Sequence, residues 1–86
     1  MTSILKLYKA AEAANYEPQG GAAAGWRALL SDGSGTEAPD AGMFGVWGYE
    51  GSGGPLELLG MGATQDEAFS NAADNLQERA DNNAAE

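Results

Sequence analysis

The sequence predicts an α+β domain in which two helices cover one face of a small antiparallel sheet. Three observations predict this class: a helical apolar pattern near each end of the chain, an alternating segment between them, and glycine-rich turns that separate the elements. The predicted order is helix, three short antiparallel strands, helix, in two layers. We place a single folded domain at residues 1–81 and expect the acidic tail at 82–86 to fray.

The helical pattern near the C-terminus is the clearest in the chain. Thr64 and Glu67 form a capping box, in which the Thr64 hydroxyl accepts from the Glu67 amide and the Glu67 carboxylate accepts from the Thr64 amide. Behind this cap, an apolar stripe predicts a helix that runs to Ala80. The stripe consists of Phe69, Ala72, Ala73, Leu76 and Ala80.

A second helical pattern covers residues 3–15, with Ser3 as its predicted N-cap. Residues 4–8 alone also fit a short strand. Pro18 and the glycines after it end the element, so residues 17–24 are predicted to be a flexible linker. The apolar stripe of this helix consists of Ile4, Leu7, Tyr8, Ala11 and Ala14.

The middle of the chain carries the predicted strands. Residues 26–30 favour a strand, although alanine and leucine also favour a short helix over 22–30. Glycine, proline and acidic residues predict a loop at 34–42. Residues 43–49 alternate between two faces and form the best strand, and 56–61 returns beside it across a glycine-rich turn whose length leaves the register weakly fixed.

The charge of the chain is unusual for its size. The 86 residues carry 13 acids against 4 bases, for a net charge of −9. Residues 31–86 hold eleven of the acids against Arg79 alone. Such a surface repels nucleic acid and anionic membrane and attracts basic protein surfaces, so we expect a basic protein or nucleoprotein complex as partner. An acidic surface that merely keeps the protein soluble is the competing explanation.

The composition argues against catalysis. The sequence contains no histidine and no cysteine, which removes the commonest general base, thiolate nucleophiles and the softest metal ligands. We therefore expect no enzymatic activity, no metal site and no cofactor. No apolar run is long enough to cross a bilayer, and the N-terminus lacks a secretory signal, so a cytoplasmic location is expected.

Carboxylates on the outer side of the C-terminal helix are the strongest functional signal. Glu67, Asp74, Glu78 and Asp81 stand opposite the apolar stripe, together with Asn71. Their recurrence along one line suggests that they replace the phosphates of a nucleic-acid strand on a partner protein. We expect further contributions from three acids outside this line: Asp66, Glu50 and Glu57.

Aromatic residues of the best strand are the alternative contact surface. A two-layer fold leaves one sheet face without helices. That face exposes either Phe44 or the pair of Trp47 and Tyr49, which share the other face of the strand. If this face is open, the domain is a structural or dimerising module.

The C-terminal segment resembles the corresponding half of a double-stranded-RNA-binding domain. The resemblance is carried by Gly60, Gly62, Thr64, Glu67, Ala68, Ala72, Ala73 and Leu76, and by the order of the elements. That family implies RNA binding through basic residues at the start of the helix. Here those positions are Gln65 and Asp66, and Phe69 stands where another base usually follows, so direct nucleic-acid binding is not expected.

In size, charge and lack of cysteine the chain is also similar to the small acidic proteins by which phages inhibit host machinery, anti-CRISPR proteins among them. Several of those proteins mimic nucleic acids. The resemblance implies a non-enzymatic inhibitor that occupies a basic nucleic-acid-binding surface of a host complex in the host cytoplasm.

Overall fold

A computed structural model describes residues 3–33 and 40–85 of the chain. Two helices pack against each other and against one face of an antiparallel sheet, which confirms the predicted α+β class. The elements are α1 (Ser3–Ala14), β1 (Tyr16–Pro18), a 3-10 turn (Ala22–Ala24), β2 (Leu29–Leu30), β3 (Phe44–Glu50), β4 (Glu57–Gly62) and α2 (Gln65–Ala85).

Helix α1 covers Ser3–Ala14, within one residue of the prediction, but the residues that begin and end it differ from those expected. Ser3 is already helical, so it is not the N-cap, and its amide donates to Asp66 Oδ1 of α2 at 3.4 Å. The helix ends where Asn15 adopts a left-handed φ of 59°, before Pro18 is reached. Tyr8, expected in the apolar stripe, is 46% exposed, and Ala10 is buried instead.

The predicted linker at 17–24 contains a strand. Residues of β1 pair with the end of β3, with Glu17 opposite Tyr49 and Pro18 opposite Gly48. This strand is not apparent in the sequence because it has three residues and ends in a proline, which a strand tolerates only where no ladder hydrogen bond is needed. Of the strand expected at 26–30, only Leu29–Leu30 pairs with β3.

Strand β3 is the centre of the sheet. It pairs with β4 along one side, while β1 and β2 share its other side at opposite ends. The predicted hairpin of β3 and β4 is present, and its register shifts at a bulge between Val46 and Trp47. Residues 34–39 of the predicted loop lie outside the described residues.

The core between the helices and the sheet is built largely from alanine. Eight of the thirteen buried apolar residues in the described ranges are alanines, so the two helices and the sheet approach each other closely. Gly60 of β4 shows how closely, because a Cβ at this position would overlap the backbone of Ala72 in α2. Phe69, predicted to be a core residue, is only half-buried and packs against the edge of this core.

Helix α2 also bonds to the outer edge of the sheet. The side-chain amide of Asn75 donates to the Leu59 carbonyl at 3.0 Å, and that of Asn71 donates to the Met61 carbonyl at 2.6 Å. Asn71 therefore leans over β4 and does not belong to the outward line of carboxylates. The helix continues to Ala85, beyond the domain boundary that we predicted at residue 81.

Candidate functional site

The cap of α2 orients the first residues of the candidate site. Thr64 Oγ1 accepts from the Glu67 amide at 3.1 Å, as predicted. The returning bond differs: Glu67 Oε1 accepts from the amide of Ala63, at 3.4 Å, instead of that of Thr64. The Glu67 carboxylate thus lies beside the unpaired amides of the helix start, where negative charge is favourable.

Four acidic side chains form the outer side of α2, which we call the acidic face. At about 100° per residue, its members lie within an arc of roughly 60°, on the side of the helix opposite Leu76. With about 1.5 Å of rise per residue, the face extends for roughly 21 Å. All four residues are exposed, which agrees with their predicted orientation: Glu67, Asp74, Glu78 and Asp81.

Few bonds within the protein engage the acidic face. Asp74 stands 3.8 Å from the ammonium group of Lys6, with both side chains largely in solvent. Asp81 Oδ1 accepts from the Gln77 amide at 3.0 Å. Exposed pairs of this kind contribute about 0–1 kcal/mol, so a partner can replace them at small cost.

The three other predicted contributors lie on different elements of the fold. Asp66 is exposed at the start of α2, where it accepts from the Ser3 amide. Glu50 is exposed at the end of β3, on the sheet. Glu57 is half-buried on β4 and takes part in an internal cluster. The structure therefore places Glu50 and Glu57 on the sheet, whereas Asp66 adjoins Glu67 in the first turn of α2.

Glu57, Arg79 and Tyr16 form that internal cluster. Arg79 Nη1 donates to Glu57 Oε1 at 3.0 Å, the Tyr16 hydroxyl donates to Glu57 Oε2 at 2.9 Å, and the guanidinium carbon of Arg79 stands 5.4 Å from the centre of the Tyr16 ring. Arg79, the one base in residues 31–86, is thus occupied inside the fold.

Charge and burial oppose each other in the cluster. Burial raises the pKa of Glu57, but the hydrogen bonds from Arg79 and Tyr16 and the positive charge of Arg79 outweigh it, so this pKa lies below its ordinary value. Burial and the hydrogen bond to Glu57 raise the pKa of Tyr16 above its ordinary value. Both shifts keep Glu57 charged and Tyr16 protonated near neutral pH, which stabilises the contact between β1, β4 and α2.

The face of the sheet that the helices leave open carries mostly apolar side chains, with Arg27 beside Trp47 and Leu29, and we call it the open sheet face. The Trp47 ring lies against the backbone of Gly45, beside the Leu58 side chain. Met61 is paired with Gly45 and is 47% exposed, and Leu29, on the other side of Gly45, is 38% exposed. Tyr49 follows Trp47 on the same face and is half-buried. Trp47 and Tyr49 therefore share one face, as predicted.

Within 3–33 and 40–85, no three His, Cys, Asp or Glu side chains are grouped so that they could hold a metal ion. Neither of the described helices has the length and apolarity to cross a membrane. The arrangement offers two surfaces for binding, the acidic face of α2 and the open sheet face around Trp47.

Comparisons with protein families, with curated proteins and with solved structures find no match.

Proposed function

We propose that this protein binds a basic, nucleic-acid-binding surface of another protein through the acidic face of α2 and inhibits that partner by excluding its nucleic acid. The observation that supports this proposal is the alignment of Glu67, Asp74, Glu78 and Asp81 on one exposed side of a helix. The proposal includes a host nucleoprotein complex as partner, in the manner of the anti-CRISPR proteins that the sequence resembles.

The spacing of the acidic face suits this role. Asp74 and Glu78 are separated by roughly 6 Å along the helix axis, and Asp81 follows after roughly 4.5 Å. Phosphates on one strand of duplex DNA rise by about 3.4 Å each, so the two spacings agree within a factor of two. A groove that binds phosphates with Lys and Arg can therefore bind several of these carboxylates at once.

The net charge of −9 supports association over longer distances. Electrostatic steering of this kind raises association rates by about 10- to 1,000-fold at low salt. Because the Debye length is about 8 Å at physiological ionic strength, the attraction between exposed charges weakens as salt is added. We expect affinity to fall between about 50 and 300 mM salt, and nucleic acid to compete for the same surface.

Reversing charges on the acidic face tests the proposal. The variant Glu78→Lys/Asp81→Lys leaves the Thr64 cap intact and places positive charge toward the helix C-terminus, where it is tolerated. Glu67 is left unchanged because its carboxylate bonds to the Ala63 amide. Each swap adds two units of charge, so the net charge moves from −9 to −5.

A matched control reverses two exposed acids elsewhere. Asp40→Lys/Glu50→Lys produces the same net charge but leaves the acidic face unaltered. Tagged wild type and control should capture a DNA- or RNA-binding protein from host extract, and added nucleic acid should release it. The Glu78→Lys/Asp81→Lys variant, shown to be folded by circular dichroism, should not capture that protein.

Two results would contradict the proposal. Equal capture by the acidic-face variant and the control would show that the contact lies elsewhere. Direct binding of duplex RNA by the purified protein at moderate salt would support a function like that of the double-stranded-RNA-binding domains instead.

The open sheet face supports a second candidate function, self-association of a structural module. Leu29 and Met61 expose apolar surface beside Trp47, on the side of the molecule away from the acidic face. Two copies joined through this face would keep their acidic helices apart, which limits the repulsion between two strongly negative chains.

This candidate predicts a dimer that is insensitive to salt. Met61→Lys should dissociate it in analytical ultracentrifugation, because a charge would be buried at the contact. Leu5→Lys is the matched control, since Leu5 is 53% exposed on α1. A wild-type protein that remains monomeric at high micromolar concentration would exclude this function.

A further inference from the structure

A groove between α1 and the following β1 segment has aromatic walls. Tyr8 of α1, Tyr16 of β1 and Trp26 line it. The Tyr8 hydroxyl accepts from the backbone amide of Trp26 at 3.3 Å, which holds the tyrosine over the segment after the 3-10 turn. Tyr8, which is 46% exposed, forms the accessible rim of the groove, and Trp26, which is 5% exposed, forms its buried floor.

The charged side chain of this groove is acidic. Glu12 follows Tyr8 by one helical turn on α1 and is exposed. Glu17 of β1 also borders the groove, but it lies opposite Tyr49 in the sheet, so its carboxylate belongs to the open sheet face. No base is found among the described residues that line the groove. Aromatic faces and carboxylates both attract cations, so the groove is complementary to a positively charged group.

Its size limits what this group can be. The groove holds about 180 Å³ of open space. Sites for drug-sized ligands start at about 300 Å³, so this one suits a single side chain. A planar arginine guanidinium can stack on an aromatic ring and bond to a carboxylate at the same time. A lysine ammonium is not planar and combines these two interactions less well. Tyr16 already has this relationship with Arg79 inside the fold, although Arg79 does not line the groove.

We propose that the groove formed by Tyr8, Glu12, Tyr16 and Trp26 binds an arginine side chain presented by a partner protein. The guanidinium stacks on the Tyr8 ring, and Glu12 neutralises its charge. This site lies on α1 and β1, so it does not depend on the acidic face of α2. The groove would bind one specific side chain, whereas the acidic face attracts a series of basic groups along the helix.

The test uses a short glycine–serine peptide that carries one arginine, together with versions in which citrulline or lysine replaces it. Titration into ¹⁵N-labelled protein should shift the amide and indole signals of Tyr8, Glu12 and Trp26. The arginine peptide should bind most tightly, the lysine peptide more weakly, and the neutral citrulline peptide without measurable shifts.

Two matched pairs of variants locate the site. Glu12→Gln should weaken binding of the arginine peptide about fivefold, while Glu78→Gln, which removes the same charge from the acidic face, should change it less than twofold. Tyr8→Leu should weaken binding about fivefold, and Tyr8→Phe should retain it, because only the phenylalanine keeps the aromatic face. Dispersed spectra of each variant confirm that it is folded.

Equal losses in Glu12→Gln and Glu78→Gln would overturn the proposal, because they would show attraction to net charge alone. Binding of the citrulline peptide as tight as that of the arginine peptide would also overturn it, as would equal binding of the lysine peptide. Since Glu12 and Tyr8 are absent from the acidic face, these results are independent of whether α2 binds a partner.

Discussion

Gly60 is the position where one added methyl group should be most damaging. A Cβ there would lie 2.7 Å from the Cα and 2.8 Å from the Cβ of Ala72, whereas carbon atoms pack at about 3.5–4.0 Å. Since the obstacle is backbone, α2 would have to move away from β4 by about 1 Å. That movement would also stretch the bond from Asn75 to the Leu59 carbonyl.

We expect Gly60→Ala to lower the free energy of unfolding by about 3 kcal/mol, at the upper end of the usual cost of overpacking. For a domain of this size each kcal/mol corresponds to about 4–8 °C, so the midpoint of thermal unfolding should fall by more than about 10 °C. Circular dichroism at the helix band during heating, and urea titration, measure both quantities.

Gly54→Ala is the matched control for this substitution. A Cβ at Gly54 would meet the Glu50 Cβ at an ordinary 3.8 Å, in the exposed turn between β3 and β4. The control should leave stability unchanged or raise it by about 0.5 kcal/mol, since alanine restricts the unfolded chain. If Gly60→Ala melted within about 2 °C of the wild type, α2 would not pack on β4 as described, and the reasoning would be refuted.

Three further predictions concern stability. Thr64→Ala removes the bond to the Glu67 amide and should cost about 1 kcal/mol in urea unfolding, whereas Thr64→Ser should cost little. Phe69→Ala should cost about 2 kcal/mol, less than a fully buried phenylalanine, because the ring is half-buried; a loss above about 4 kcal/mol would contradict this placement. Because the pKa of Glu57 is lowered in the folded state, its stabilisation is complete above the ordinary value of 4.5 and is lost as the pH falls through the lower value. The stability difference between wild type and Glu57→Gln should therefore shrink between pH 5 and pH 3 in urea titrations, and a constant difference would show that the carboxylate charge is not involved.

Local patterns were sufficient to predict the parts of the fold that depend on neighbouring residues. Thr64 and Glu67 lie three positions apart, and the stripe behind them has helical spacing, so α2 and its exposed carboxylates could be predicted. The alternation around Trp47 likewise predicted β3 and its faces. These features depend on the spacing of residues within a single helix or strand.

Features that join distant parts of the chain could not be predicted in the same way. The cluster of Tyr16, Glu57 and Arg79 joins residues up to 63 positions apart, and nothing near Glu57 in the sequence shows that its charge is neutralised. The aromatic groove needs Tyr8 to turn away from the core, and helical spacing alone does not show that Ala10 is buried while Tyr8 is exposed. Both features arise from tertiary packing, which sequence periodicity does not describe.

The amides of Asn71 and Asn75 have a consequence for how this protein can associate. Strand β4 ends the sheet on one side, and such a strand ordinarily invites another chain to extend the ladder, either as a bound peptide or in an aggregate. An incoming strand would first have to displace two side-chain amides from the carbonyls of Met61 and Leu59. The two asparagines therefore disfavour fibre-like growth from this edge.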